Sequence, residues 1–291
     1  MVHNPPATAT PHTLRGDALI LGYGKSAEVI HGVDLAVHPG TVTVLVGPNG
    51  SGKSTLLRSL ARLHPVTDGD IHLDDRSVSA LSPKEFARQV TLFSQTRPAP
   101  DGLTVRDVVG FGRHPYRQRF TGLSAEDHEL IDHALDVTGM TDKADRSAGE
   151  LSGGEVQRAW LAACLAQDTG VILLDEPTNH LDLRFQTEIL DLVRDLADGT
   201  ADGTRGSPVA VGVVLHDLDH ALRVADTLVL LHDGRVMAAG APQDVLTADN
   251  IAEAYGIAVD VGVDPRTGRL RIDPIGRHHE RGRVAIPEQN S

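Results

Sequence analysis

Cysteine is almost absent: Cys164 is the only one among 291 residues. No disulfide can form within the chain, which fits a reducing compartment. Cys164 shares a helical face with Trp160, Leu161 and Leu165, so it reads as a core residue rather than a nucleophile. Long apolar runs are missing too, and no segment is expected to cross a bilayer as a helix. Met1 to Thr13 has no apolar stretch of the secretory-signal kind, and residues 1–14 are expected to be a disordered tail. Basic side chains are in deficit, 27 against 40 acidic ones, for a net charge of −13. That balance argues against a nucleic-acid partner, which requires a basic footprint. A cytoplasmic chain, free to dock on a membrane protein, is the expectation. Its 40% hydrophobic content suffices for a core, and its length allows one large or two small domains.

The stretch around which the chain is organised is Gly47, Pro48, Asn49, Gly50, Ser51, Gly52, Lys53, Ser54 and Thr55. An apolar run from Val42 to Val46 leads in, and a helical pattern with Leu56, Leu57, Leu60 and Leu63 on one face leads out. Strand, glycine-rich loop and helix together are the context of a phosphate-binding loop. Successive backbone N–H groups turn inward there, and the helix start adds a partial positive charge. Lys53 is placed to reach β- and γ-phosphates, and the Ser54 hydroxyl to ligate Mg²⁺.

Strands are expected at Ala18–Leu21, Val33–Val37, Asp70–Leu73 and Val90–Phe93, with a short helix opened by Ser82-Pro83. From residue 96 to 165 the pattern is helical without a clear strand. Thr104 is a helix cap there, and Ser124-Ala125-Glu126-Asp127 resembles a capping box. Apolar runs return at Val171–Leu174 and Val209–Leu215, as parallel strands covered on both faces require. A helix carrying Phe185, Ile189, Leu192, Val193 and Leu196 lies between them, and Asp198 to Ser207 is composed as a surface loop. Asp233-Gly234 marks a hairpin turn. Ile257–Val263 and Leu270–Ile272 form a last hairpin, followed by a polar tail.

Val171 to Leu174 ends in Asp175 and Glu176. A buried strand thereby delivers two carboxylates at its carboxyl end, where open α/β sheets bind ligands. Asp175 is placed to hold Mg²⁺ and Glu176 to orient or deprotonate water. A strand cap before the Pro177 turn would look the same in isolation. Leu151-Ser152-Gly153-Gly154-Glu155 is, alone, a loop and helix cap, or an anion site at a helix start.

In this order the phosphate loop, Gln95 after a strand, Leu-Ser-Gly-Gly-Glu, Leu-Leu-Asp-Glu-Pro and His216 after a strand resemble the ATP-binding cassette (ABC) family over residues 15 to 256. The resemblance implies an α/β fold: a RecA-like P-loop NTPase core (15–95 and 166–256) with an antiparallel β subdomain and an inserted α-helical subdomain (96–165). A C-terminal hairpin extension (257–275) and a flexible tail (276–291) follow. It implies ATP and Mg²⁺ as cofactors, and a head-to-tail homodimer with two ATPs at its interface. Tyr23 would stack on adenine. Gln95 would contact Mg²⁺ and the attacking water and link them to the helical subdomain. Ser152, Gly153 and Gly154 would grip the γ-phosphate of the opposite site, and Asn179-His180-Leu181-Asp182 would cross the interface. His216 would contact the γ-phosphate and Glu176. Taken singly, Tyr23 is equally a turn aromatic and His216 a core histidine at a strand end.

Two departures from the family pattern are visible. Glu155 replaces the commoner glutamine, and Val156 stands where a basic residue is usual. Thr104–Val109, Gly112–Tyr116, Gln157–Trp160, Val214–Leu218 and Ala254–Ile257 are similar to segments of ATPase subunits that serve bacterial importers of ferric siderophores, haem and cobalamin. The implied function is ATP hydrolysis that powers iron-chelate import, by a subunit peripheral to the cytoplasmic side of the membrane. Transmembrane permease subunits and an extracytoplasmic substrate-binding protein are its implied partners. Importers of haem, cobalamin or another substrate, and exporters, are the alternatives. The soluble non-transport cassettes are disfavoured: no heptad run separates Lys53 from Asp175, and only one phosphate loop is present. His278-His279 sits in the polar tail and reads as solvated rather than metal-binding.

Overall fold

The uninterrupted apolar runs become parallel strands whose side chains alternate between two cores. A computed structural model describes residues 10–24, 28–94, 100–117, 122–179, 181–200, 207–266 and 268–276. β1 (Leu14–Gly22) and β2 (Glu28–Val37) pair antiparallel, with Leu14 opposite Val37 and Leu21 opposite Ile30. Both are longer than their apolar cores, because alternate positions face solvent. β3 (Val42–Val46) is buried throughout and precedes α1 (Lys53–Leu60). β4 (Asp68–Leu73) and β5 (Arg76–Ser77) complete a four-stranded antiparallel sheet in the order β2-β1-β4-β5. α2 (Pro83–Ala87), entered through a Ser82–Glu85 capping box, leads to β6 (Val90–Phe93).

Helices dominate the next stretch: α3 (Val105–Gly110), α4 (Ala125–Val137) and α5 (Gly153–Ala166). Thr104 and Ser124 cap α3 and α4 through reciprocal bonds with Asp107 and Asp127. Among the described residues of this stretch the only β pairing is an isolated bridge between Thr104 and Ser147. The buried Arg113 ties its parts together. Its Nε donates to Asp127 Oδ1 at 2.6 Å and its Nη1 to Ala166 O at 2.9 Å.

β7 (Val171–Asp175), α6 (Leu183–Asp198), β8 (Ala210–Val214) and α7 (Leu218–Val224) return the chain to the sheet. β9 (Thr227–His232) and β10 (Arg235–Gly240) turn at Asp233 and Gly234, both with positive φ (45° and 71°). α8 (Pro242–Val245), α9 (Ala248–Tyr255) and the hairpin β11 (Val259–Val263)–β12 (Leu270–Pro274) end the described chain. The large sheet has the order β10-β9-β3-β8-β7-β6, parallel except for the edge strand β10. Period-two alternation divides its side chains. Val44, Val46, Ile172 and Leu174 join the core under α5 and α6. Leu45, Leu173 and Val229 join the core shared by α1 and the antiparallel sheet.

Two expectations are corrected. The tail expected over residues 1–14 reaches too far: Leu14 opens β1, fully buried between Val37 and Leu73 on the neighbouring strands. Leu63 is not on the apolar face of the first helix: α1 ends at Leu60, and Leu63 is 68% exposed. Arg62 breaks the helix with a left-handed φ of 58°. Its Nη1 donates to Leu81 O at 3.0 Å, and its guanidinium lies over the Phe86 ring, 5.2 Å from the centroid. Residues 1–9, 201–206 and 277–291, with their expected tails, loop and His278-His279 pair, lie outside the described residues.

Candidate functional site

β3 and α1 meet through a loop that only small residues can build. A Cβ on Gly47, where φ is 145°, would lie 2.1 Å from Leu231 O. One on Gly52, at φ 98°, would meet Ile30 Cδ1 at 2.5 Å. Gly52 also caps α1 without a side-chain bond, leaving the N–H groups of the first turn available to an anion. Pro48, Asn49, Gly50 and Ser51 complete the curve. Lys53 is buried beneath it: Nζ donates to Gly47 O and Pro48 O, each at 2.8 Å, and approaches Ser51 Oγ at 3.5 Å. Burial holds this ammonium below its ordinary pKa, against the opposing fields of Glu176 and Asp175. The ammonium thus sits within the fields of both acids but bonds to main-chain carbonyls.

Asp175 closes β7 with 1% exposure. Its Oδ1 accepts from Ser54 Oγ at 2.7 Å and its Oδ2 from Arg58 Nη2 at 3.1 Å. Parallel pairing sets Asp175 opposite Val214, which carries the residues after β7 alongside those after β8. Glu176 then adopts a left-handed φ of 54°, a conformation costing a non-glycine residue about 1–2 kcal/mol. Its N–H donates to Val214 O at 3.2 Å. Its carboxylate is gripped by His216 Nε2 and Asn179 Nδ2. A strained backbone at a carboxylate tethered from two sides is the pattern of a preorganised acid–base group.

Tyr23 lies beside this loop, 54% exposed. Its ring meets the edge of His64 with centroids 4.6 Å apart, and its hydroxyl is 3.2 Å from Thr55 Oγ1. Ser152, Gly153 and Gly154 open α5 elsewhere. Among the described contacts, none joins them to Lys53, Asp175 or Glu176. Glu155 Oε2 accepts from Ser152 N at 2.8 Å and from Ser152 Oγ at 2.9 Å, and Lys143 pairs with Oε1. These donors, Lys143 foremost, hold the Glu155 carboxyl down to about 2. α5 touches the loop after β7 through Gln157 Nε2, which donates to Pro177 O at 3.0 Å. Asp182 caps α6 through Phe185 N at 3.0 Å. Gln95 and His180 lie outside the described residues.

Arg58 and Lys143 escaped the sequence pattern. Arg58 had a usable signal, being one turn after Ser54 on the same helix face. Lys143 had none, since its pairing with Glu155 depends on how a turn folds back onto α5. The donor set suits a small hard cation. Ser54 and the buried Asp175 present oxygens to one point at a strand end, and Mg²⁺ at nucleotide sites takes few protein ligands besides phosphates. Among the described residues no cluster of His, Cys, Asp and Glu makes a self-sufficient metal site, and no helix is long and apolar enough to cross a membrane.

An amide-lined loop, a buried lysine, an oxygen pair for a cation and a tethered carboxylate together fit phosphoryl transfer to water. Comparison with known proteins agrees. The ABC transporter family model matches residues 30–179. The ferric enterobactin transport ATP-binding protein FepC of Escherichia coli (strain K12) is 40% identical over 264 residues, covering 91% of this chain and 94% of that one. The probable siderophore transport system ATP-binding protein YusV of Bacillus subtilis (strain 168) is 42% identical over 272 residues, 94% of each. In fold, the ADP conformation of MJ1267, an ATP-binding cassette of an ABC transporter, superposes with a TM-score of 0.71 at 24% identity. That match spans 84% of this chain and 99% of that one.

Proposed function

This chain belongs to the ABC transporter family as an ATP-hydrolysing subunit, and from that premise we propose that it powers import of ferric siderophores through a permease in the cytoplasmic membrane. Support for the substrate class comes from relatives matched over nearly their whole length, one named for ferric enterobactin transport and one for a probable siderophore transport system. Support for the catalytic assignment comes from one observation: the Glu176 carboxylate is held by His216 and Asn179 beside the buried Asp175.

The proposed residue roles combine the family resemblance with this geometry. The amides of Gly47 to Thr55 wrap the phosphates, and Lys53 exchanges Gly47 O and Pro48 O for phosphate oxygens. That exchange is favourable because burial has already stripped the ammonium of water. Ser54 and Asp175, with Gln95, would hold Mg²⁺, which neutralises phosphate charge when bound. Glu176 takes the proton of the attacking water or orients it, while His216 fixes Glu176 and donates to the γ-phosphate. Tyr23 offers its exposed face to adenine.

The site of one chain is incomplete in this account. Ser152, Gly153 and Gly154 of a second copy supply the remaining γ-phosphate contacts, in a head-to-tail dimer that closes on ATP and reopens after hydrolysis. The subunit is peripheral at the cytoplasmic face. Its core (15–95 and 166–256) carries the phosphate loop, and its helical part (96–165) passes the motion to the permease, which an extracytoplasmic binding protein feeds. The 257–275 extension follows the ATPase domain, and no nucleic acid takes part.

Glu176→Gln tests the catalytic assignment. The variant is expected to bind ATP, hydrolyse it poorly and accumulate as a dimer, whereas wild-type turnover would overturn the role of Glu176. Uptake of a labelled ferric siderophore in a deletion strain tests the substrate. Wild-type protein should restore uptake and Glu176→Gln should not. Normal uptake without the protein would refute siderophore import.

A further inference from the structure

Glu155 puts a full negative charge in the first turn of α5. It accepts from Ser152 N at 2.8 Å and Ser152 Oγ at 2.9 Å, which stabilises the helix start. The same charge opposes an anion, because it outweighs the roughly half-unit positive charge of a helix N-terminus. Protonation does not remove it, since the carboxyl titrates only near 2. Lys143, the last residue of the turn Thr141–Lys143 that follows α4, pairs with the other carboxylate oxygen. Both side chains are largely covered, 29% and 18% exposed, so solvent screens the pair incompletely. Neighbouring cations have other partners: Arg146 pairs with Glu150 at 4.0 Å, and Arg158 lies over the Phe185 ring at 3.9 Å.

We propose that Lys143 is a positioning residue for the ATP-bound dimer: it cancels the charge of Glu155, so that Ser152, Gly153 and Gly154 present a net positive helix start to phosphate. This rests on the proposal that these three residues meet the γ-phosphate of a second copy. Lys143 has a further task in that step. When the Ser152 hydroxyl turns from Glu155 Oε2 to a phosphate oxygen, the carboxylate loses a donor, and Lys143 keeps it satisfied. With glutamine at position 155 the helix cap would persist without the charge, and Lys143 would lose its purpose. The compensating lysine and the acidic residue are therefore one unit.

The experiment measures ATP-dependent dimer formation by light scattering, using the full chain in a Glu176→Gln background across ATP concentrations. Lys143→Met is expected to raise the ATP midpoint about three- to tenfold, the scale of one charge at a helix terminus, and Lys143→Arg to leave it within about twofold. Glu155→Gln alone should not raise it. Lys143→Met with Glu155→Gln should return it to within about twofold of the parent. A merely structural staple would behave differently, with Lys143→Met and Glu155→Gln impaired alike and the double variant unrescued, and that result overturns the proposal. Thermal unfolding of each variant reports folding, and the double variant keeps the test open if Lys143→Met alone unfolds. A dimer insensitive to Lys143→Met overturns charge compensation alone. Absence of any ATP-dependent dimer in the parent overturns the γ-phosphate assignment of Ser152 to Gly154, and this proposal with it.

Discussion

Arg58 donates from Nη2 to Asp175 Oδ2 at 3.1 Å, one helical turn beyond Ser54, which donates to Oδ1 at 2.7 Å. Both oxygens of a carboxylate with 1% exposure thereby receive donors from a single helix. Arg58→Met should destabilise the nucleotide-free protein by about 1–3 kcal/mol. That is less than a fully buried pair would lose, because the arginine is 42% exposed. Urea unfolding measures the loss, which should shrink when ATP and Mg²⁺ are present, since the proposed cation would meet the same carboxylate.

Lys53 should trade stability for binding. Burial lowers its pKa, so folding disfavours the charged form and the penalty is present at neutral pH. It is relieved as pH rises through the lowered native value toward the ordinary 10.5. Lys53→Met is expected to abolish ATP binding while stabilising the nucleotide-free chain by about 1 kcal/mol. The stability difference should narrow toward alkaline pH. Calorimetric titration with ATP and unfolding at several pH values check both halves.

Gly47→Ala should damage the phosphate loop through its neighbour rather than its ligand. The added Cβ would stand 2.1 Å from Leu231 O at φ 145°, a clash with backbone that no rotamer change relieves. A loss of about 2–4 kcal/mol is expected, together with loss of ATP binding. Gly50→Ala is the control for steric effect, since no heavy atom beyond its chain neighbours lies within 4 Å of its Cβ position, although its own φ of 83° still carries strain.

Arg113→Met should cost about 3–5 kcal/mol, the price of leaving Asp127 buried and unpaired. The two side chains are 5% and 10% exposed, and Arg113 also lies 3.8 Å from the Tyr116 ring centroid. The double variant Arg113→Met with Asp127→Ala should recover part of the loss. A thermal unfolding series on the three proteins measures the coupling.

Glu155 makes a pH prediction. Its carboxyl is depressed from 4.5 to about 2, first by Lys143 and then by Ser152. A depressed acid contributes stability above its unfolded pKa, so the contribution is whole above 4.5 and is lost as pH falls through about 2. Glu155→Gln should flatten the stability profile in that window by at most about 1 kcal/mol, given solvent screening. Urea unfolding across the window compares it with the wild type.

The local features were legible because their causes are local. Gly47 to Thr55 reads as a loop from glycine content and flanking patterns, Thr104 as a cap from the helical pattern after it, and Ser124 as a cap from Asp127 three positions on. Apolar runs read as buried strands because both faces of the parallel sheet are covered. Leu63 misled because helical periodicity continues past Leu60, whereas an arginine bond to Leu81 and a stack on Phe86 end the helix.

The sequence by itself determined the buried strands of the large sheet, where glycine-rich loop amides gather at a helix start, and which carboxylates sit at a strand end. These depend on neighbouring residues and on side-chain period. Only the tertiary structure decided the strand order β10-β9-β3-β8-β7-β6, the grip of Asn179 on Glu176, the attachment of Arg58 to Asp175, and the pairing of Lys143 with Glu155. Each joins residues whose contact follows from how whole elements pack, and pairing free energy between distant segments leaves no period in the chain.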